Sequence, residues 1–240
     1  IKGERKMKKI KIYSDGAVLE DMLDAYNNGY AEGFTTNPTL MKKAGVTSYK
    51  EFAKKVLETI TDLSISFEVF ADDLDKMEEE AREIASWGKN VFVKIPIMNT
   101  KKESTIPLIK KLSESGAQLN ITAIMTLGQV KDTVNAFTEG TKNIVSVFAG
   151  RIADSGRDPI PCMKEAAELC HAKAGVELLW ASPREVLNII QAEECGTDII
   201  TCTNDIIKKY KVIGKDLEQI SLETVQMFYN DSQSLGYSIL

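Results

Sequence analysis

Three ionisable residues interrupt stretches that are otherwise apolar. Lys94 lies in Asn90-Val91-Phe92-Val93-Lys94-Ile95-Pro96, with apolar neighbours on both sides. If its side chain points into a core, burial disfavours the ammonium and favours the neutral amine, the form that attacks carbonyl carbons. The competing reading is a structural lysine whose stem follows the core while its head pairs with a carboxylate. Glu68, in Ile65-Ser66-Phe67-Glu68-Val69-Phe70, could be that partner. A desolvated carboxyl there could also shuttle protons, and a Glu68–Lys94 pair would titrate as a unit. Asp15 follows the first apolar run in Tyr13-Ser14-Asp15-Gly16. Asp-Gly is ordinary turn chemistry as well, so Asp15 gains meaning only beside the other two.

Further polar residues end other apolar runs: Thr35-Thr36-Asn37, Asn120 with Thr122, Ser146 with Arg151, and Ser182 with Arg184. Arginine stays charged and can hold an oxyanion bidentately, so Arg151 and Arg184 are candidate anion binders; each alone could equally be a surface ion pair. His171 is the chain's one histidine and falls on a predicted helix. A multi-histidine metal site is thereby excluded, and His171 reads as a helix-surface residue rather than a catalyst.

The elements that must position these residues alternate. Strands are predicted over 10–14, 33–35, 65–70, 90–95, 118–123, 143–148, 177–180 and 199–201. Helices are predicted over 18–28, 48–61, 74–87, 104–115, 127–137, 161–174, 183–194 and 204–210, with a further helix over 217–234. Ser48 and Thr126 stand where N-caps belong, Pro161 and Pro183 at first-turn positions, and Gly116, Gly140, Gly175 and Gly196 where helices should stop. Eight strand–helix pairs give either a closed (β/α)8 barrel or an open doubly wound sheet. The first strand is followed by Ser14-Asp15-Gly16-Ala17 rather than a glycine-rich nucleotide loop, and no P-loop motif occurs, so the barrel is preferred. Its active site is then expected at the C-terminal strand ends, where the polar residues stand.

Length and composition agree. The 240 residues fit one α/β barrel domain, expected over 7–240 with the last helix included. Residues 1–6 read as a non-native leader ahead of a natural start at Met7. With 30 Lys and Arg against 35 Asp and Glu the net charge is −5, which argues against nucleic acid as the main ligand. No apolar run approaches the roughly 20 residues that span a bilayer. The four cysteines form no C-x-x-C pair, and a cytoplasmic location with reduced thiols is the expectation.

Five segments carry a resemblance: Gly33-Phe34-Thr35-Thr36-Asn37-Pro38-Thr39, Val93-Lys94-Ile95-Pro96, Leu119-Asn120-Ile121-Thr122-Ala123, Val147-Phe148-Ala149-Gly150-Arg151-Ile152-Ala153-Asp154 and Trp180-Ala181-Ser182-Pro183-Arg184. In type and order they resemble the transaldolase family, in its small branch that also contains fructose-6-phosphate aldolases. The resemblance implies a (β/α)8 TIM barrel and class I aldolase chemistry without metal or other cofactor. It makes Lys94 the Schiff-base lysine, Asp15 the acid/base, and Glu68 with Thr122 the pair that relays protons through a water. Asn37 and Asn120 match residues that hold donor hydroxyls, with Thr36 beside them. Ser146, Arg151 and Arg184 match residues that bind the terminal phosphate, while Ser182 and Phe148 line the pocket.

The implied partners are a sugar phosphate donor and an aldehyde acceptor, and the implied assembly is a homo-oligomer, a pentamer or decamer built through C-terminal helices. Family aldolases usually carry Gln at the position of Glu68 and Tyr at that of Phe148; this chain has the transaldolase-like residue at both. Transfer is therefore expected over plain cleavage. Trp180 leaves a second reading open, in which a reshaped pocket takes a sugar ending in sulfonate.

Overall fold

The eight apolar runs form parallel strands: β1 (Lys11–Asp15), β2 (Gly33–Thr35), β3 (Ser64–Glu68), β4 (Val91–Pro96), β5 (Leu119–Ile124), β6 (Asn143–Val147), β7 (Val176–Trp180) and β8 (Ile199–Cys202). In this computed structural model, which describes residues 9–240, they close into a barrel in sequence order, with β8 paired back onto β1. The proposed leader at 1–6 and the start at Met7 lie outside the described residues.

The connecting helices are α1 (Leu19–Asn27), α2 (Pro38–Lys43), α3 (Tyr49–Thr59), α4 (Leu74–Ala85), α5 (Ile106–Glu114), α6 (Leu127–Ala136), α7 (Ala149–Asp154), α8 (Ile160–His171), α9 (Leu187–Glu194), α10 (Asn204–Lys209) and α11 (Leu217–Ser234). Ser48 caps α3, and Thr126 caps α6 in a reciprocal box with Gln129. Pro161 lies in the first turn of α8. Pro183 does not start a helix: α9 begins only at Leu187, and the intervening residues form the loop after β7. Gly116 and Gly196 take positive φ just past α5 and α9, as helix stops do, whereas Gly140 and Gly175 bend the loops beyond α6 and α8.

The chain divides into two compact units, one through Ile207 and one from Lys208. In the first, strand side chains alternate between two environments, as the period of two requires. Phe67, Val93, Ile95, Ile121 and Trp180 face outward into one large apolar layer with the helices. Each such buried side chain is worth about 1.5–3 kcal/mol, so this outer layer can carry the fold's stability. The inward side chains of Tyr13, Phe92, Ile144, Leu179 and Ile199 form a small apolar plug. The barrel interior beyond that plug is free to be polar. The second unit holds a short 3-10 turn and α11, which is capped by Asp216 and buries none of its own residues.

Candidate active site

Strand register builds the site. Cα pairing sets Asp15 beside Thr35, Glu68 beside Lys94, and Lys94 beside Asn120, so inward polar side chains fall in one layer near the C-terminal strand ends. Above that layer opens a cavity of about 620 Å³. Asp15, Asn37, Glu68, Lys94, Thr122, Ser146, Phe148, Arg151, Ser182 and Arg184 all border it. Two predicted site residues do not. Thr36 is fully buried beside the cavity, and Asn120 lies beneath it, donating to Ser66 Oγ (2.9 Å) and accepting from Ser146 Oγ (2.6 Å).

Lys94 is 6% exposed. Its Nζ lies 3.2 Å from Glu68 Oε2 and donates to the Thr36 carbonyl oxygen at 3.1 Å. Both readings of Lys94 thus meet in one geometry: the head is paired, and it is paired inside a cavity. Asp15 is enclosed by protein except where the cavity reaches it. Burial holds its carboxyl above the usual carboxylate range, against the opposing pull of Lys94 and of the Thr35 hydroxyl, which donates to Oδ1 at 2.8 Å.

The hydroxyls of Thr36 and Thr122 are buried without a partner among the described residues. An unsatisfied buried hydroxyl costs about 1–3 kcal/mol unless a ligand or water completes it, so the Thr122 hydroxyl is poised for one. Local backbone irregularity places it. The β5–β6 register shifts between Ile121 and Ile124, and Ala123 adopts φ 60°. A bulge at this point turns the strand end toward the cavity.

The cationic wall is assembled from two loops. Arg151, on α7, lies with its guanidinium carbon 5.8 Å from the centre of the Phe148 ring. Arg184, after β7, is held by Asp154: its Nε and Nη2 donate to the two carboxylate oxygens. Gly150 makes this approach possible, since a Cβ there would stand 1.5 Å from the Ser182 carbonyl oxygen. Ser182 itself adopts φ 56°.

Trp180 does not take part. Its side chain is 1% exposed, belongs to the outer apolar layer, and points away from the cavity bordered by Leu179 and Ala181 on either side of it in sequence. The reading of a pocket reshaped by Trp180 is thereby corrected, because strand alternation sends the indole to the opposite face.

Sequence reasoning missed Lys43 and Thr201 on the cavity wall, Ser66 beneath it and Asp154 behind Arg184. Ser66 was detectable as the polar residue two before Glu68, and Thr201 as a polar residue within an isoleucine-rich strand. Among the described residues no group of three or more His, Cys, Asp or Glu is placed to hold a metal ion, and no helix is long and apolar enough to cross a membrane.

Comparison with known proteins gives a consistent picture. The family model described as Transaldolase/Fructose-6-phosphate aldolase matches residues 12–239. Among relatives named "Probable transaldolase", one from Dehalococcoides mccartyi is 32% identical over 194 residues, 80% of this chain and 86% of the relative. One from Exiguobacterium sp. is 30% identical over 230 residues, 94% of this chain and 100% of the relative. A third, from Phocaeicola vulgatus, is 32% identical over 217 residues, 89% and 95% of the two chains.

Proposed function

Because this chain belongs to the transaldolase/fructose-6-phosphate aldolase family of enzymes, we propose that it transfers a dihydroxyacetone unit from a ketose phosphate to an aldehyde through an enamine on Lys94. One observation carries the reading: a lysine amine buried in a cavity, with one carboxylate 3.2 Å away and a second carboxyl on the same cavity wall.

The chemistry follows from those groups. Lys94 gives up a proton to Glu68 and its amine adds to the C2 carbonyl of the donor. Water leaves from the carbinolamine, protonated by way of Glu68 and the open Thr122 hydroxyl, and a protonated imine remains. That cation is an electron sink. Asp15 takes the proton of the C4 hydroxyl, the C3–C4 electron pair flows toward the imine nitrogen, and the first aldehyde departs. The resulting enamine attacks the carbonyl of a second aldehyde, whose new hydroxyl receives the proton back from Asp15. Hydrolysis of the imine then releases the product ketose and restores Lys94. A carboxyl held above its ordinary range suits Asp15 to both directions of this proton transfer.

Transfer, rather than cleavage, is supported by Phe148. Its ring borders the cavity without a hydroxyl that could help water protonate the enamine. Arg151 and Arg184 would hold the terminal phosphate of donor and acceptor in turn. Self-association through α11 is part of this proposal, since that helix buries none of its residues within its own unit.

The test is intact-protein mass spectrometry after borohydride reduction in the presence of fructose 6-phosphate. A three-carbon adduct mapping to Lys94, absent from Lys94→Ala, is the expected result. An adduct elsewhere, or none, refutes the assignment. Donor cleavage without acceptor, at the rate of transfer, would instead make the enzyme an aldolase.

A further inference from the structure

We propose that Thr35 and Thr201 form a two-hydroxyl relay that aims Asp15 and sets its proton affinity, making both of them positioning residues for the reaction. The inference rests on the reading of Asp15 as the acid/base group.

With Asp15 ionised, the hydrogen bonds fix the direction of the relay. Thr35 Oγ1 donates to Asp15 Oδ1 at 2.8 Å and is itself hydrogen-bonded to Thr201 Oγ1. An ionised carboxylate only accepts, and a hydroxyl has a single proton. The Thr35 proton is therefore spent on Asp15, so Thr201 must donate to Thr35. Donors in series polarise one another, and each strengthens the next.

Topology adds to this. Thr35 is on β2 and Thr201 on β8, the two strands that flank β1, so the relay spans the strand that carries Asp15. Thr35 is 2% exposed and Thr201 5%, so both links sit at the cavity's edge with little contact with solvent. Among the described residues Thr35 gives Asp15 its only side-chain hydrogen bond. The other charged or titratable groups around Asp15 are Lys94 on β4, Glu68 on β3 and Cys202 on β8, with Lys43, Arg151 and Arg184 farther along the cavity wall. Changing either threonine to valine keeps the shape of the side chain and leaves all of these in place.

The experiment titrates Asp15 in the full chain by carboxyl 13C NMR, beside pH profiles of kcat/KM, in wild type, Thr35→Val, Thr201→Val and Thr35→Ser. Thr35→Val raises the Asp15 midpoint by about one pH unit, the loss expected for one hydrogen bond to a charged group. Thr201→Val raises it by less, and Thr35→Ser restores the wild-type value. The acidic limb of kcat/KM moves upward with the midpoint. Circular dichroism checks folding, and alanine variants replace any valine variant that does not fold. Unchanged midpoints in both valine variants overturn the relay. A shift in Thr35→Val alone overturns the part of Thr201. A midpoint that moves while the acidic limb stays fixed sinks the acid/base reading of Asp15 and leaves the relay standing.

Discussion

Both ends of the barrel hold charged residues, and they hold them differently. The N-terminal end has the larger cavity, about 930 Å³, bordered by Lys11, Tyr13, Asn143, His171, Glu177 and Asp198. There the polar groups are settled. Lys11 donates to Glu177 at 2.6 Å, His171 is 2.8 Å from Asp198, Tyr13 accepts from Ser64, and both ends of the Asn143 amide are bonded. The C-terminal end has the smaller cavity, yet it contains a buried ion pair, a carboxyl that burial keeps from ionising readily, and a threonine hydroxyl with no partner. Volume does not mark the site in this barrel. What marks it is the combination of ion pair, shifted carboxyl and open hydroxyl in one cavity, since among the described residues single unpartnered groups also occur at Thr133, Trp180 and Thr197, which do not border it.

The sharpest way to break this contrast is to remove the central amine. Lys94→Ala should lower transfer by about 10⁴-fold or more and abolish the borohydride adduct, as expected when a covalent nucleophile is lost. If activity survives within tenfold, the C-terminal cavity is not the site.

Asp15→Asn comes next, with two opposite effects. Transfer falls by about 10²–10⁴-fold, the usual share of a proton-transfer group. Stability at neutral pH rises, and the sign follows from linkage. The Asp15 carboxyl is held above its unfolded value, so its contribution to stability is full below the ordinary carboxylate range and is lost as pH rises through the folded value. The melting temperature of Asp15→Asn should therefore exceed wild type at pH 7, with the gap closing as pH falls below the ordinary carboxylate range. In wild type, kcat/KM should fall on the acidic side at a pH above that range.

Glu68→Gln sharpens the comparison further. It removes the carboxylate beside Lys94, and single-turnover imine formation should slow by about 10²-fold. Phe148→Tyr should leave imine formation intact while raising acceptor-independent cleavage by about tenfold, read as free glyceraldehyde 3-phosphate.

On the cationic wall, Arg184→Lys should raise KM for a phosphorylated donor by about tenfold with little change in kcat, since the bidentate fork is lost while the charge stays. The smallest effect belongs to the opposite end: His171→Asn should leave kcat and KM within about twofold, because His171 faces the settled cavity. A large loss of activity there would erase the distinction between the ends.

How far this could be read from sequence depends on the range of the interaction. The strands were legible to within a residue or two because their apolar runs are long relative to their punctuation. α2 and α7, six residues each, escaped notice because both follow directly on strand ends that were read only for their polar residues. Lys94, Glu68 and Asp15 were visible as charges in apolar surroundings, since desolvation is a local cost that composition betrays. The bond from Thr201 to Thr35 was invisible, because it joins the last strand to the second across the closure of the barrel. The Asp154 clamp on Arg184 escaped for the same reason: it links two different loops. The facing of Trp180 was undecided until β7 had a register, since a single residue of slip reverses every side chain.

The close passage of Gly150 under Ser182 has a practical corollary for redesign. The two loops are interlocked through their main chains, so neither can be grafted from another scaffold alone. Any library must leave position 150 as glycine, because every other residue there would drive its Cβ into the Ser182 carbonyl. One that exchanges both segments together preserves the interlock and can move the two guanidiniums as a set.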